Sequence, residues 1–223
     1  MGGIMDFLFY MICILVGYLV GTINPAYIIS KIRGFDIRKK GSGNAGASNA
    51  VIVMGKMIGV ICALFDIFKA TLIIWLMGWI FPTLDYSFAA VGVACIVGHI
   101  FPFYMKFRGG KGLACLGGMV LAFDWRVFLL MLAGELIVVF LTNYICFVPV
   151  TAGLIFPIVY GFMRRDLWGA LILLLAGLLI VYRHKENFKR IRNGSEARFS
   201  YLWNKDKEIE RLQKNLEKKQ PKS

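Results

Sequence analysis

Residues 52–80 read IVMGKMIGVICALFDIFKATLIIWLMGWI. About 20 consecutive apolar residues span the hydrocarbon of a bilayer as a helix, the form in which the segment satisfies its own backbone hydrogen bonds. This run is longer than that and carries two charges at membrane depth, Asp66 and Lys69, three apart and so on neighbouring turns. Ionisable groups are costly there, so the pair is expected to neutralise itself or to meet a polar residue of another helix such as Glu135. It reads as structural glue first and as part of a pathway second.

Three other runs, roughly 5–30, 86–104 and 126–147, pass the same test. Two shorter ones lie at roughly 148–163 and 167–182. The stretch 112–123, GLACLGGMVLAF, is too short for a straight crossing and reads as a short helix that begins in the membrane's polar margin. The expected fold class is all-α: a polytopic integral membrane protein of about seven transmembrane helices. Composition agrees, with 58% hydrophobic and 17% charged residues and a mean hydropathy of +0.67, outside the usual globular mix. The first run lacks a basic leader and is too long for a cleaved signal, so it is expected to stay as the first span.

The net charge of +13 would suggest nucleic acid if it lay on a soluble surface. Its placement argues otherwise. Lys31, Arg33, Arg38, Lys39 and Lys40 follow the first run; Lys106, Arg108 and Lys111 follow the third; thirteen more lysines and arginines lie from Arg183 onward. The opposite side is left with Arg126, Arg164 and Arg165. The excess of basic residues on cytoplasmic loops then puts the N-terminus outside and the C-terminus in the cytoplasm. Membrane lipids, and not nucleic acid, are the expected partners. Cys13, Cys62, Cys95, Cys115 and Cys146 lie in or at the ends of apolar runs without metal-ligand spacing, so they read as small packing residues, with no metal and no cofactor called for.

Three polar clusters face the same compartment in this topology. The first is Gly41-Ser42-Gly43-Asn44-Ala45-Gly46-Ala47-Ser48-Asn49, where glycines turn backbone N–H groups toward an anion and a helix N-terminus follows. A glycine-serine turn capped by Ser48 or Asn49 is the plainer alternative. The second ends in Arg108-Gly109-Gly110-Lys111-Gly112 at the start of the short helix, a phosphate cradle in its physics although not in its spacing a Walker motif. Its alternative is a snorkelling Lys111 among glycines that pack helices. The third is Arg183-His184-Lys185-Glu186-Asn187-Phe188-Lys189-Arg190-Ile191-Arg192-Asn193-Gly194-Ser195-Glu196. A basic stop-transfer segment with Gly194 as C-cap accounts for its cations but not for the histidine, asparagine and final glutamate.

In order and interval these clusters resemble the acyl-phosphate:glycerol-3-phosphate acyltransferases of the bacterial plasma membrane, the PlsY family. The resemblance runs from Thr22-Ile23-Asn24-Pro25 through Asp36-Ile37-Arg38 and the three clusters to Glu196. It implies a seven-helix fold with its active site facing the cytoplasm at the bacterial inner membrane. It also implies transfer of a fatty acyl group from acyl-phosphate to the 1-hydroxyl of glycerol 3-phosphate, giving lysophosphatidic acid and phosphate. Ser42, Lys111, His184, Asn187 and Glu196 are then the catalytic candidates. Gly41, Gly43, Asn44, Asn49, Arg108, Gly109, Gly110, Gly112, Arg190 and Gly194 are the substrate-binding ones. Because an acyl-phosphate is already activated, positioning suffices and Ser42 is not required as a covalent nucleophile; the resemblance leaves the departing phosphate as base and His184 as an orienting group.

Two positions depart from the family's pattern: Ile52 and Asn143 stand where it tends to have arginine. Lys56 or Arg108 would then have to supply the missing charge. A divergent paralogue with another acceptor stays open beside the main reading. So does a membrane protein that binds phosphate or lipid, or transports, without catalysis. The expected organisation is a membrane-embedded unit over 1–196 and a charged cytoplasmic tail over 197–223. In the tail Ile209, Leu212 and Leu216 recur at helical spacing, which suggests a helix on the membrane surface or a solvated extension not needed for chemistry.

Overall fold

The computed structural model of the chain describes residues 2–82 and 87–217. All regular structure among them is helical. Helix α1 (Gly2–Thr22) and the short α2 (Pro25–Ile32) divide the first apolar run; α3 (Ala47–Met54) and α4 (Lys56–Ile80) divide the second. Then come α5 (Ser87–Ile100), α6 (Leu113–Phe123), α7 (Trp125–Thr142), α8 (Val148–Arg164), α9 (Leu167–Arg183), α10 (Lys185–Arg192) and α11 (Lys205–Glu217). Five segments are long and apolar enough to cross a membrane, six if α9 and α10, bent by 40°, count as one. The protein is an all-α, multi-pass integral membrane protein. Residue 86, the first of the expected third run, residues 218–223 of the tail and the side chain of Leu216 lie outside the described residues.

Glycines set how closely the helices approach. Gly17 and Gly21 of α1 face Val91 and Cys95 of α5, and Gly98 of α5 faces the Tyr18 carbonyl, so a methyl at any of the three would strike backbone. The two helices therefore run parallel and in close contact, the small-residue packing expected where lipid gives helices no hydrophobic reason to associate. Gly118 lets α6 approach α4 at the Ile67 carbonyl, and Thr71 Oγ1 donates to the Gly118 carbonyl at 2.8 Å. Trp75 Nε1 reaches the Ala122 carbonyl further along, so α4 and α6 also run parallel. Helices α8 and α9 pair antiparallel through Gly153 and Gly177.

The division of two expected spans has local causes. Asn24 Oδ1 accepts from Tyr27 N at 2.8 Å and Pro25 takes the first helical position, so α1 stops and α2 starts. The carbonyls this frees within the apolar zone are all taken: Lys69 Nζ donates to Gly21 at 3.0 Å and Ile23 at 2.6 Å, and the Tyr104 hydroxyl donates to Thr22 at 2.6 Å. Gly55, at φ 99°, separates α3 from α4, a conformation glycine adopts freely. Asn143, at φ 60°, ends α7 before the expected boundary near 147.

Asp66 and Lys69 pair at 2.6 Å as anticipated, and His99 of α5 joins them with Nδ1 3.4 Å from Asp66 Oδ1. Glu135 is not part of that cluster; it accepts from Thr151 Oγ1 at 2.5 Å and ties α7 to α8. Asp66, His99 and Cys115 have the donor types of a metal site. Lys69 Nζ lies 2.6 Å from the carboxylate and 3.2 Å from the imidazole, so an ammonium already holds the place a cation would take.

Candidate active site

The first cluster is organised by Asn49, which is fully buried at the start of α3. Its Nδ2 group donates to the carbonyls of Ile37, Lys40 and Asn44 at 3.2, 3.0 and 2.9 Å. Its Oδ1 accepts from Ser42 N at 2.8 Å. Gly41 and Gly43, at φ 58° and 74°, make the turn that brings these groups inward. Asn49 was expected to bind substrate, yet its amide is spent within the loop, and the Ser42 N–H is spent with it. Ser42 is exposed, and among the described residues no histidine or carboxylate bonds its hydroxyl, so nothing is placed to make it a nucleophile. Asn44 has its carbonyl on Asn49 and its side chain against Gly46.

The first cluster is fastened to its neighbours by residues outside the expected set. Asn24 Nδ2 donates to the Ala45 carbonyl at 2.8 Å. Arg38, paired with Asp36 at 2.7 Å, donates through its other terminal nitrogen to the Met105 carbonyl at 2.6 Å and so joins the first loop to the second. The guanidinium beside Asp36 holds that carboxyl down at about 2. The only sequence signals for these fasteners were the Asn-Pro step and the two-residue Asp/Arg spacing.

In the second cluster the structure corrects the phosphate cradle. Gly109 N donates to the Ile100 carbonyl and Gly110 N to the His99 carbonyl, both at 3.0 Å, because the chain doubles back on the end of α5. Those two N–H groups are therefore unavailable to an anion. Gly110 is glycine for another reason: a Cβ there would overlap His99 Nε2. Gly112, at φ 88°, is the N-cap of α6, whose first free N–H groups follow it. Arg108 is exposed.

Lys111 reaches out of this loop and donates to Asn187 Oδ1 on α10. Burial of the ammonium, with Arg190 beside it and Glu196 opposing, pushes it down to about 8. Asn187 Nδ2 donates in turn to Glu196 Oε1 at 2.5 Å, and Arg190 Nε donates to Glu196 Oε2 at 2.6 Å. Gly194, at φ 69°, turns the chain so that Glu196 folds back, with Ser195 N and Glu196 N both on the Arg190 carbonyl. His184 Nδ1 lies 2.8 Å from the Ile180 carbonyl, which can only accept, so in the neutral ring Nε2 carries the free lone pair. Arg183, over the Phe101 ring at 5.5 Å, keeps a buried Nε with no hydrogen-bond partner among the described residues. Lys56, a proposed substitute for the missing arginines, instead donates to the Leu202 carbonyl.

The structure thus joins Lys111, Asn187, Arg190 and Glu196 directly, with His184 one step before α10, and leaves Ser42 and Asn44 on an adjacent loop. Residues 11–194 match the family described as glycerol-3-phosphate acyltransferase. The chain belongs to this family. A glycerol-3-phosphate acyltransferase of Oceanobacillus iheyensis is 35% identical over 205 residues, covering 89% of this chain and 99% of that one. One from Bacillus subtilis is 34% identical over 190 residues, covering 85% and 97%. The crystal structure of PlsY, an integral membrane glycerol 3-phosphate acyltransferase, in its glycerol 3-phosphate form is similar at a TM-score of 0.78 and 30% identity, covering 86% of this chain and 96% of that one. Its lysophosphatidic acid form gives 0.76 and 29%.

Proposed function

We propose that the protein transfers a fatty acyl group from acyl-phosphate to the 1-hydroxyl of glycerol 3-phosphate, on the cytoplasmic face of a bacterial inner membrane. The observation that carries this reading is the Lys111–Asn187–Glu196–Arg190 chain of contacts, which joins two cationic loops at one end of a family fold. Both substrates bear phosphate. Bringing two such anions together beside a low-dielectric boundary requires fixed cations and N–H donors. Lys111, Arg190 and Arg183, set against the single carboxylate of Glu196, leave the cluster with an excess of positive charge.

In the transfer the 1-hydroxyl oxygen bonds to the acyl carbonyl carbon and the bond from that carbon to the phosphate oxygen breaks. The hydroxyl proton leaves with the phosphate, so the products are lysophosphatidic acid and inorganic phosphate. No covalent acyl-enzyme is required, in keeping with the isolated hydroxyl of Ser42. His184, with its proton held on Nδ1 by Ile180, offers Nε2 to orient the attacking hydroxyl. Glu196 keeps Arg190 and Asn187 in place.

Helix directions support seven crossings: α1 runs with α5, α4 with α6, and α8 against α9, the pattern of successive alternation with α6 as a short crossing. The lysines and arginines then favour a cytoplasmic site. The test is purified protein with acyl-phosphate and glycerol 3-phosphate, assayed for lysophosphatidic acid and released phosphate. Equal turnover with acyl-CoA in place of acyl-phosphate overturns the donor assignment.

A further inference from the structure

The described segment after Glu196, residues 197–217, does not trail into solvent. It folds back and is held at three places: Asn143 after α7, Lys56 at the start of α4, and the Gly194–Glu196 turn of the third cluster. Phe199 N donates to the Asn143 carbonyl at 2.8 Å, Ser200 N to Asn143 Oδ1 at 2.9 Å, and Asn143 Nδ2 to Ser200 Oγ at 3.2 Å. Lys56 donates to the Leu202 carbonyl. From α11, Arg211 donates to the Gly194 carbonyl at 3.2 Å and the Glu196 carbonyl at 2.7 Å, and Asn215 Nδ2 donates to the Gly194 carbonyl at 2.8 Å. Glu208 holds Arg211 through two bonds of 2.9 and 2.6 Å and accepts from Arg198 N at 2.8 Å. Its side chain is only 5% exposed.

We propose that residues 198–215 form a strap that sets the Gly194–Glu196 turn, and that Arg211 is a positioning residue for acyl transfer. The family match ends at residue 194, so the strap is an addition beyond the matched region. It uses Asn143, the left-handed residue that ends α7, and Lys56 at the start of α4. The route to chemistry is short: Arg211 fixes the main chain of Glu196, whose two carboxylate oxygens hold Asn187 and Arg190, and Asn187 meets Lys111. Without the strap, what fixes the turn is Gly194 N on the Ile191 carbonyl and the two N–H groups on the Arg190 carbonyl. A small displacement of catalytic groups costs rate far more than it costs stability.

This inference rests on the reaction proposed above, and the test separates the two. Full-length parent, Arg211→Ala, Arg211→Lys, Asn215→Ala and the exposed control Lys214→Ala are compared for kcat and KM with acyl-phosphate and glycerol 3-phosphate, each at a temperature where it is folded. Arg211→Ala is expected to lose about tenfold or more in kcat/KM, Asn215→Ala to lose less, Arg211→Lys to recover part, and Lys214→Ala to match the parent. Combined with Glu196→Gln, Arg211→Ala is expected to add less than about twofold, because both act through one carboxylate. Losses that multiply fully, or an Arg211→Ala enzyme within about twofold of the parent, overturn the strap as a positioning device. If Arg211→Ala does not fold, a parent-like rate in Asn215→Ala and Arg211→Lys does so instead. A parent without turnover overturns the reaction itself, and the strap's role in it.

Discussion

The ammonium of Lys111 donates to the side-chain oxygen of Asn187, a residue 76 positions further along the chain. One partner stands before the short helix α6 and the other on α10, so the contact closes the gap between two loops that are far apart in sequence. In the proposed reaction a phosphate offers Lys111 a stronger acceptor than this amide oxygen.

Lys111→Met keeps most of the stem and removes the charge. The variant is expected to insert and fold, because other basic residues fix orientation, while kcat/KM falls by about a hundredfold or more. Phosphate release measured on monodisperse protein checks it. A rate within a few-fold of the parent would show Lys111 to be a snorkelling residue.

The lowered pKa of Lys111 fixes the sign of a pH effect. In the proposed reaction it is the protonated form that binds phosphate, so kcat/KM should decline as pH rises through about 8. Lys111→Arg, which stays charged, should carry the alkaline limb upward even if its maximum rate is lower. Stability runs the other way. The unfolded chain keeps this proton up to about 10.5 while the folded one releases it near 8, so this group makes folding more favourable as pH rises between them.

Gly110→Ala directs a methyl at the His99 ring, not at a bound anion. The expected result is a loss of roughly 1–3 kcal/mol of stability as the buried Asp66–Lys69–His99 group is pushed apart. Thermal unfolding in detergent measures it. Unchanged stability with abolished phosphate binding would return Gly110 to the cradle.

Asn49→Asp keeps the oxygen that receives Ser42 N but replaces the donor group that holds three carbonyls. The loop is expected to loosen, at roughly 1–3 kcal/mol for the carbonyls left without their donor. The rate should fall with it, and limited proteolysis of the segment around Gly43 should speed up.

A reporter fused to the C-terminus is expected to read cytoplasmic, and one inserted at Asp166, between α8 and α9, external. A cytoplasmic signal at Asp166 would remove the seven-crossing topology.

Much of this architecture was legible in residue order. Apolar length gave the spans, glycine spacing gave the loops, and the family likeness pointed to Lys111 and to the segment from His184 to Glu196. What escaped reading were matters of backbone partnership. That Gly109 and Gly110 give their N–H groups to Ile100 and His99 follows from the path by which the loop returns, which composition does not encode. The breaks at Asn24 and Gly55 had local signals, an Asn-Pro step and a lone glycine, that were hidden inside continuous apolar runs. The tail reads as an amphipathic helix on the membrane surface or a solvated extension, from Ile209, Leu212 and Leu216 at helical spacing among charges. Its described residues dock on the third cluster through Glu208, Arg211 and Asn215, polar contacts to backbone that no hydrophobic pattern announces.

The broken end of α1 has a consequence for how the protein is made. As the chain is made, α4 enters the membrane carrying Asp66 and Lys69 ahead of α5, which bears His99. A charged side chain at the centre of a span costs roughly 2.5–3.5 kcal/mol at the insertion machinery, and for Lys69 the pairing with Asp66 offsets part of that. The carbonyls of Gly21 and Ile23 precede α4 in the chain and accept from Lys69, so the break in α1 supplies acceptors that α4 alone, with its Asp66–Lys69 pair, does not have. Joint release of the first two spans into lipid is the expected consequence. A chain whose α1 is replaced by an uninterrupted apolar helix should stall with α4 unpartnered and fall to membrane proteolysis before any active site exists.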